Sequence, residues 1–235
     1  FLDVLDTDAA VLPRIIALGS VDEDELAFSE AEPFGGAEAF AIPPELDELE
    51  RRLTLAQLVT KWATRLKPDN PAEAPLVAGG PAATLALAGD LARLIDDMVT
   101  REVDWRAFDS LVPDDLDKYW QLTLDFLKVA REVWPPILKA SGRIEPAARR
   151  DRLIAAEAER LKTNSKGPVI AAGSTGSMPA TARFLHAIAR LPQGAVVLPG
   201  LDTDLDEAAW ASIGGDARAA PRRCGAIRSS RCITC

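Results

Sequence analysis

Residues 167–210 read GPVIAAGSTGSMPATARFLHAIARLPQGAVVLPGLDTDLDEAAW, and this stretch decides the fold. Val169 to Ala172 is a short apolar run that ends on the small-residue loop Gly173–Ser177. Pro179 suits the first turn of a helix, and a second buried-type strand is predicted over 195–198 after a Pro/Gly turn. The order strand–loop–helix–strand is typical of a parallel sheet covered by helices. A loop at the carboxyl end of such a strand is where these sheets usually place function.

The rest of the chain divides into three further segments. Residues 1–44 are interpreted as the start of the α/β layer, with a strand over 12–19 and a loop over 30–44. Residues 45–166 predict a large all-helical block, 167–213 hold the α/β unit, and 214–235 form a tail. The predicted helices cover 46–66, a segment from Pro81, a segment from Pro113 that stops at Pro135-Pro136, and 146–162.

Helical spacing also predicts which side chains of this block are buried. In the first helix these are Leu46, Leu49, Leu53, Ala56, Val59, Ala63 and Leu66; in the second they are Leu87, Leu91, Leu94, Ile95 and Met98. Leu153 and Ile154 are predicted to be buried in the last helix. The fold class is therefore α/β, with most residues in helices.

Composition limits the classes of function. The 235 residues are 48% hydrophobic and 27% charged, as in an ordinary globular protein, and no apolar run approaches a membrane span. A net charge of −9 argues against a free-standing basic nucleic-acid module. All three cysteines lie in the arginine-rich tail, so the body fits a cytoplasmic protein without disulfides. Because the sequence begins with Phe1 rather than Met, we expect a fragment of a longer protein.

The loop Gly173-Ser174-Thr175-Gly176-Ser177 invites comparison with a phosphate-binding P-loop. That motif needs a lysine and a hydroxyl residue after its last glycine, where this chain has Met178 and Pro179. The loop also lacks the Gly-x-Ser-x-Gly pattern of a serine-hydrolase elbow. The simpler interpretation is a βα turn whose glycines permit a tight backbone, with Thr175 or Ser177 capping the next helix.

Other residues with chemical potential have plain structural interpretations. His186 is the one histidine, and it is expected to be a packed or surface helix residue. Asp202, Asp204, Asp206 and Glu207 could suggest a metal site, but first-turn acids of a helix explain them more simply. The tryptophans Trp62, Trp105, Trp120 and Trp134 are expected in helix packing.

One basic cluster stands out in the acidic body. It consists of Arg143, Arg149, Arg150 and Arg152, and it is the best candidate for a phosphate contact, although such clusters are usually a solvated face. In the tail, Cys232 and Cys235 form a C-x-x-C pair beside Cys224, but the segment lacks apolar periodicity. We expect residues 214–235 to be disordered or non-native and dispensable.

Several phrases together resemble one family. They are Leu12–Ile15 (LPRI), Leu18–Leu26 (LGSVDEDEL), Leu111–Leu116 (LVPDDL), Pro146–Arg150 (PAARR), Val169–Ala182 (VIAAGSTGSMPATA) and Leu191–Asp202 (LPQGAVVLPGLD). The chain is similar over about 12–213 to the AddB family of alphaproteobacterial type. Those proteins are double-strand-break repair subunits that pair with AddA in a helicase–nuclease.

The resemblance implies a superfamily 1 helicase-like fragment that has lost motor function and helps to channel or scan DNA. Its partners would be an AddA-like motor subunit and, in the complex, DNA. The family's iron–sulfur cluster and magnesium belong to a distant nuclease domain with no counterpart here, so no cofactor and no catalytic residue is expected in this fragment. The alternative is a stand-alone α/β enzyme that binds an anionic small molecule at the Gly173–Ser177 loop.

Overall fold

The computed structural model describes residues 15–18, 36–65, 80–110, 118–165, 167–200, 204 and 206. Within these ranges the chain is mostly helical and carries one small parallel sheet of two strands. In chain order the elements are a 3₁₀ helix Gly36–Ala41, α1 Glu48–Arg65, α2 Pro81–Thr100, a 3₁₀ helix Trp105–Ser110, α3 Lys118–Lys128, a π-helical segment Val129–Val133, α4 Trp134–Ala140, α5 Pro146–Asn164, β1 Val169–Ala172, α6 Pro179–Ala189 and β2 Gly194–Val197.

The helical core is built from α1, α2, the π-helical segment and α4. The predicted bounds of α1 are confirmed within about two residues, and Pro81 is in the first turn of α2 as expected. The predicted buried face of α1 is wrong in part, because Leu49 and Leu53 are 65% and 47% exposed. The buried stripe instead runs at a spacing of four through Arg51, Leu55 and Val59.

The helical path does not stop at Pro135-Pro136 as predicted. Those two prolines lie in the first turn of α4, where the missing N–H groups cost no hydrogen bond. The π-helical segment Val129–Val133 joins α3 to α4 and takes up the break in α-helical hydrogen bonding that the prolines impose. The start predicted for this helix at Pro113 lies outside the described residues.

A buried ion pair holds the helical core against the start of α5. Arg51 donates two hydrogen bonds to Asp96, at 3.0 and 2.9 Å, and one to the carbonyl of Ala92 at 3.1 Å. Its Nη2 also lies 2.8 Å from Oε2 of Glu145, an ion contact without hydrogen-bond alignment. The indole N–H of Trp134 donates to the other oxygen of Glu145. Arg51, Glu145 and Trp134 are all buried.

Glu145 is the N-cap residue of α5, yet its side chain does not cap that helix. The carboxylate points instead to Arg51 and Trp134 in the helical core. Burial raises the pKa of Glu145 above its usual value, and the charge of Arg51 and the hydrogen bond from Trp134 offset only part of that rise. Burying the ionised Glu145 carboxylate therefore costs folding free energy, and the Arg51 guanidinium reduces that cost.

The second core lies where α5 and α6 cover one face of the sheet. Its buried side chains include Leu153, Ile154, Leu161, Phe184, Leu185 and Ile188. The two strands pair in parallel with Val169 opposite Gly194 and Ala172 opposite Val197. The predicted strand–loop–helix–strand order and the burial of Leu153 and Ile154 are thus confirmed, with β2 starting one residue earlier than expected.

Two predictions for residues 1–44 need correction or remain open. Residues 15–18 of the strand predicted over 12–19 are not in a strand, although Leu18 packs against the α5–α6 core. The loop predicted over 30–44 contains the 3₁₀ helix Gly36–Ala41, whose Ala39 contacts the same core. Residues 42–44 are in neither helix nor strand, and 12–14, 19 and 30–35 lie outside the described ranges.

Gly194 opens β2 because no side chain fits there. A Cβ atom at this position would lie 1.8 Å from the backbone oxygen of Ile188 and 3.0 Å from the Cβ of Leu191. The Gly194 N–H donates to the carbonyl of Leu191 at 3.1 Å, which closes the turn. Glycine therefore allows the end of α6 to pass directly over the start of β2.

We predict that Arg51→Met destabilises the chain by about 3–5 kcal/mol at about pH 8, because it leaves the Glu145 carboxylate buried without its cation. The loss should shrink as the pH falls to about 5. Because the pKa of Glu145 is raised in the folded state, protonating this carboxyl stabilises the folded protein, and removing Arg51 raises the pKa further. The variant therefore regains part of the lost stability at the lower pH. Urea unfolding at both pH values measures the two losses.

The matched control is Arg93→Met, since Arg93 pairs with Asp90 on the exposed face of α2. A surface change of this kind should cost within about 0.5 kcal/mol at either pH. Equal losses for Arg51→Met at both pH values would contradict an ionised Glu145 as the cause.

Candidate functional site

The loop that follows β1 is shaped by its two glycines. Gly173 has φ +79° and Gly176 has φ +65°, values that side-chain-bearing residues rarely adopt. The Gly173 N–H donates to the carbonyl of Val197 at 3.2 Å, which extends the parallel ladder past the end of β1. The Gly176 N–H donates to Ser174 Oγ at 3.3 Å. Gly176 is buried, whereas Thr175 and Ser177 are exposed.

The loop ends at Met178, which is the N-cap residue of α6. The prediction that Thr175 or Ser177 occupies the cap position is wrong by one or more residues. Met178 has no oxygen in its side chain, and Pro179 follows in the first turn, where it has no N–H to satisfy. The carbonyl of Met178 accepts the first helical hydrogen bond, from Ala182 at 2.8 Å.

This geometry places the partial positive end of α6 beside a loop without charged side chains. Residues 173–181 contain no lysine or arginine. The nearest cation along the helix is Arg183, which makes two hydrogen bonds to Glu102 after the end of α2. Helix N–H groups alone attract an anion weakly in water, because a dipole contributes only about 0.3–1 kcal/mol. The loop therefore offers backbone geometry rather than the charge that a nucleotide phosphate needs.

Two side chains of the arginine cluster bind other groups of this chain. Arg150 donates to Thr100 Oγ1 at 3.1 Å and pairs with its neighbour Asp151 at 3.1 Å. Arg143 donates to the carbonyl of Glu45 at 2.9 Å, next to a parallel bridge between Glu45 and Ile144. Arg149 is half-buried and Arg152 is exposed. Of the four predicted phosphate contacts, Arg152 and the exposed part of Arg143 are the most open to solvent.

Opposite charges meet where α2, α5 and α6 come together. Burial raises the pKa of Asp151, an effect that the Arg150 guanidinium opposes. The hydrogen bonds from Arg183 to Glu102 raise the pKa of the arginine further. The Glu102–Arg183 pair joins the end of α2 to α6, and the hydrogen bond from Arg150 to Thr100 joins α5 to α2. Spacing in sequence gave no signal for the Glu102–Arg183 pair, since the two residues lie 81 positions apart.

The remaining candidates have structural roles or fall outside the described ranges. His186 is exposed on α6, as expected for a surface residue. Trp134 is buried, Trp62 packs against Phe126 at a ring distance of 4.9 Å, and Trp105 stacks on Phe108 at 5.8 Å. The packing role predicted for these tryptophans is confirmed. Asp204 and Asp206 are exposed and neither is in a helix. The side chain of Trp120, Glu207 with the helix expected after it, and the three tail cysteines lie outside what the structure describes.

The described residues contain neither a membrane-spanning helix nor a cluster of metal ligands. No helix among them has both the length and the apolar character to cross a membrane. Over the same residues, no three histidine, cysteine, aspartate or glutamate side chains come close enough together to hold a metal ion. Comparison with known proteins adds no relative: no family model, no curated protein and no solved structure matches this chain.

We predict that Gly176→Val destabilises the fold by at least about 1–2 kcal/mol, because a β-branched residue is strained at φ +65° and this position is buried. Ser174→Ala should change stability by less than about 0.5 kcal/mol, since it removes one long hydrogen bond. Thermal unfolding of the two variants measures both effects.

Thr175→Val serves as the matched control, because it places the same side chain on the exposed neighbour. It should unfold at the temperature of the parent protein. A Gly176→Val variant as stable as Thr175→Val would show that the positive φ imposes no requirement for glycine.

Proposed function

We propose that this chain is an AddB-like fragment of a helicase–nuclease for double-strand-break repair. It serves as a motor-inactive, helicase-like scaffold that contacts an AddA-like motor subunit and helps to channel or scan DNA. The working compartment is the cytoplasm. The phrases that support the resemblance are concentrated in 169–182 and 191–202, which cover both strands, the loop and the first turn of α6.

The observation that carries this proposal is the construction of that unit. A parallel strand pair with a helical crossover carries a glycine loop at the carboxyl end of β1, where a motor would place its phosphate loop. Met178 and Pro179 stand where the phosphate-binding lysine and the magnesium-binding hydroxyl would be needed. This loop has the position of a phosphate-binding loop but lacks the lysine that binds phosphate. That combination fits a helicase-like scaffold that has lost motor function.

The open face of the sheet supports membership in a larger layer. Ile170, Ala172, Ala195 and Val197 share one face and are all exposed, with Ile170 at 67% and Val197 at 57%. The helices α5 and α6 cover the opposite face. Parallel sheets are normally covered on both faces, and two strands are too few for an independent sheet. The scaffold proposal explains this face as one that further elements of the assembled protein cover.

Charge favours protein contact over DNA coating as the main task of this fragment. Outside the arginine-rich tail the chain carries a net charge of −13. Nucleic-acid grooves rely on clustered lysine and arginine to neutralise phosphates. Two members of the predicted arginine cluster, Arg143 and Arg150, already bind groups of the chain itself. DNA contact would therefore be made by the assembled complex, with this fragment as part of its shell.

The chain alone should show no DNA-stimulated ATP hydrolysis, because the lysine after Gly176 is missing. It should also show no nuclease activity, because the described residues bring together no set of carboxylates that could hold the metal ions of a nuclease. Phosphate release with and without single-stranded DNA measures this, with the motor subunit alone as a positive control. Activity that persists through purification and elutes with the chain would contradict the scaffold proposal.

The second test addresses assembly through the sheet face. Ile170→Asp should leave the unfolding temperature of the chain alone nearly unchanged, because the side chain is exposed. In co-expression of the AddB-like protein with its motor subunit, the same change should reduce the yield of complex severalfold, since it buries a charge against the covering elements. Leu49→Asp is the control, with 65% exposure on α1. Equal yields for the two variants would contradict covering of this face.

The alternative of a stand-alone enzyme with an anion site at Gly173–Ser177 stays a prediction. The engagement of Arg183 with Glu102 does not favour it, because that cation is the closest one along α6. A chemical step lost in Ser174→Ala while the protein stays folded would support this alternative.

A further inference from the structure

The outer surface between α5 and α6 forms an open groove of about 730 Å³. Alanines make up much of its lining, among them Ala155 and Ala158 of α5 and Ala182 and Ala187 of α6. The large side chains of these helices, such as Leu153, Leu161, Leu185 and Ile188, are directed into the core instead. The groove thus exists because alanine is used where the two helices meet on the solvent side.

Basic side chains outnumber acidic ones on the rim of this groove. Of the described residues, Lys162, Arg183 and Arg190 line it together with His186, against one carboxylate, Glu159. Lys162 pairs with Glu159 and Arg183 with Glu102, so these two cations are partly neutralised. Arg190 is exposed at the end of α6, one turn beyond the exposed His186, and its guanidinium has no ion-pair partner among the described residues. A positive rim on a chain with a net charge of −9 is a local reversal of sign.

We propose that this groove docks an acidic amphipathic helix of a partner protein. The alanine lining would receive apolar anchors of the partner helix, and Arg190, with His186 beside it, would face the partner's carboxylates. The lining segments, residues 155–162 and 180–192, extend over roughly 10–15 Å of helix, which matches two to three turns of a docked helix.

Other occupants fit the groove less well. A small-molecule site needs polar groups that converge inside it, whereas the polar groups here stand on the rim. Single-stranded nucleic acid would need aromatic faces for stacking, and Phe184, the aromatic residue of the lining, is buried. The docking proposal rests on the groove itself and is independent of the proposed repair function.

The test uses the full chain and a hydrocarbon-stapled peptide of about 14 residues, roughly four helical turns, with leucine on one face and glutamate on the others. Fluorescence anisotropy measures binding at low ionic strength. We expect saturable binding that weakens as salt is added. A peptide with every glutamate replaced by lysine should not bind, and this comparison does not depend on any variant folding.

Variants then locate the site. Arg190→Glu reverses an exposed cation of the rim, and Ala155→Trp places a bulky side chain in the groove from an exposed position. Each should weaken binding at least about tenfold, an effect of about 1.4 kcal/mol. Lys139→Glu is the matched control, because it reverses an exposed cation in the last turn of α4, away from the groove. It should change affinity less than about twofold.

Three results would overturn the proposal. The first is equal binding of the acidic and basic peptides. The second is an unchanged affinity in both Arg190→Glu and Ala155→Trp. The third is a single-stranded oligonucleotide that binds in an Arg190-dependent way while the acidic peptide does not.

Discussion

The buried contact between Arg51 and Glu145 is the constraint on which the arrangement of the two cores depends. Arg51 of α1 donates hydrogen bonds to Asp96 and Ala92 of α2. Glu145, the N-cap residue of α5, accepts a hydrogen bond from Trp134 of α4. A buried charge is expensive unless it is paired, so neither residue tolerates loss of the other. Four helices are therefore positioned through one guanidinium and one carboxylate.

Helix α5 connects the two cores. Its first turn begins at Glu145 in the helical core, its second holds the Arg150 contact to Thr100, and its centre supplies Leu153 and Ile154 to the core under the sheet. The pair Glu102–Arg183 adds a separate link from the end of α2 to α6. The α/β unit and the helical block thus meet through a helix that belongs to both, rather than through a flexible linker.

The sequence predicted the elements well where local signals exist. Pro81, Pro146 and Pro179 each occur in the first turn of a helix, and the order of β1, loop, α6 and β2 follows from alternating apolar runs and turns. The positive φ of Gly176 was also predictable, because it closes a tight turn between a strand and a helix. The loop residues Gly173–Ser177 lie together as expected, at the carboxyl end of β1.

What the sequence could not give depends on contacts between distant residues. In sequence, a charged residue such as Arg51 favours an exposed face and leucines such as Leu49 and Leu53 favour a buried one. The contact of Arg51 with Glu145, which the sequence does not show, reverses this assignment. Likewise, Arg150 appears available for phosphate until Thr100 and Asp151 are seen to bind it. The groove between α5 and α6 arises from alanines, which are common on any helix and carry no signal by themselves.

The π-helical segment Val129–Val133 has a consequence for how this chain tolerates changes in length. A turn closed by i to i+5 hydrogen bonds contains one residue more than an α-turn. A π-turn uses one residue more than an α-turn for a similar rotation, so losing that residue would restore regular α-helix and leave everything beyond it at nearly the same angle around the axis. The indole of Trp134 would still face Glu145, its partner eleven positions further along the chain, and the carboxylate would keep its donor. The segment between α3 and α4 is thus a place where the chain can lose one residue without disturbing the buried contact of Trp134.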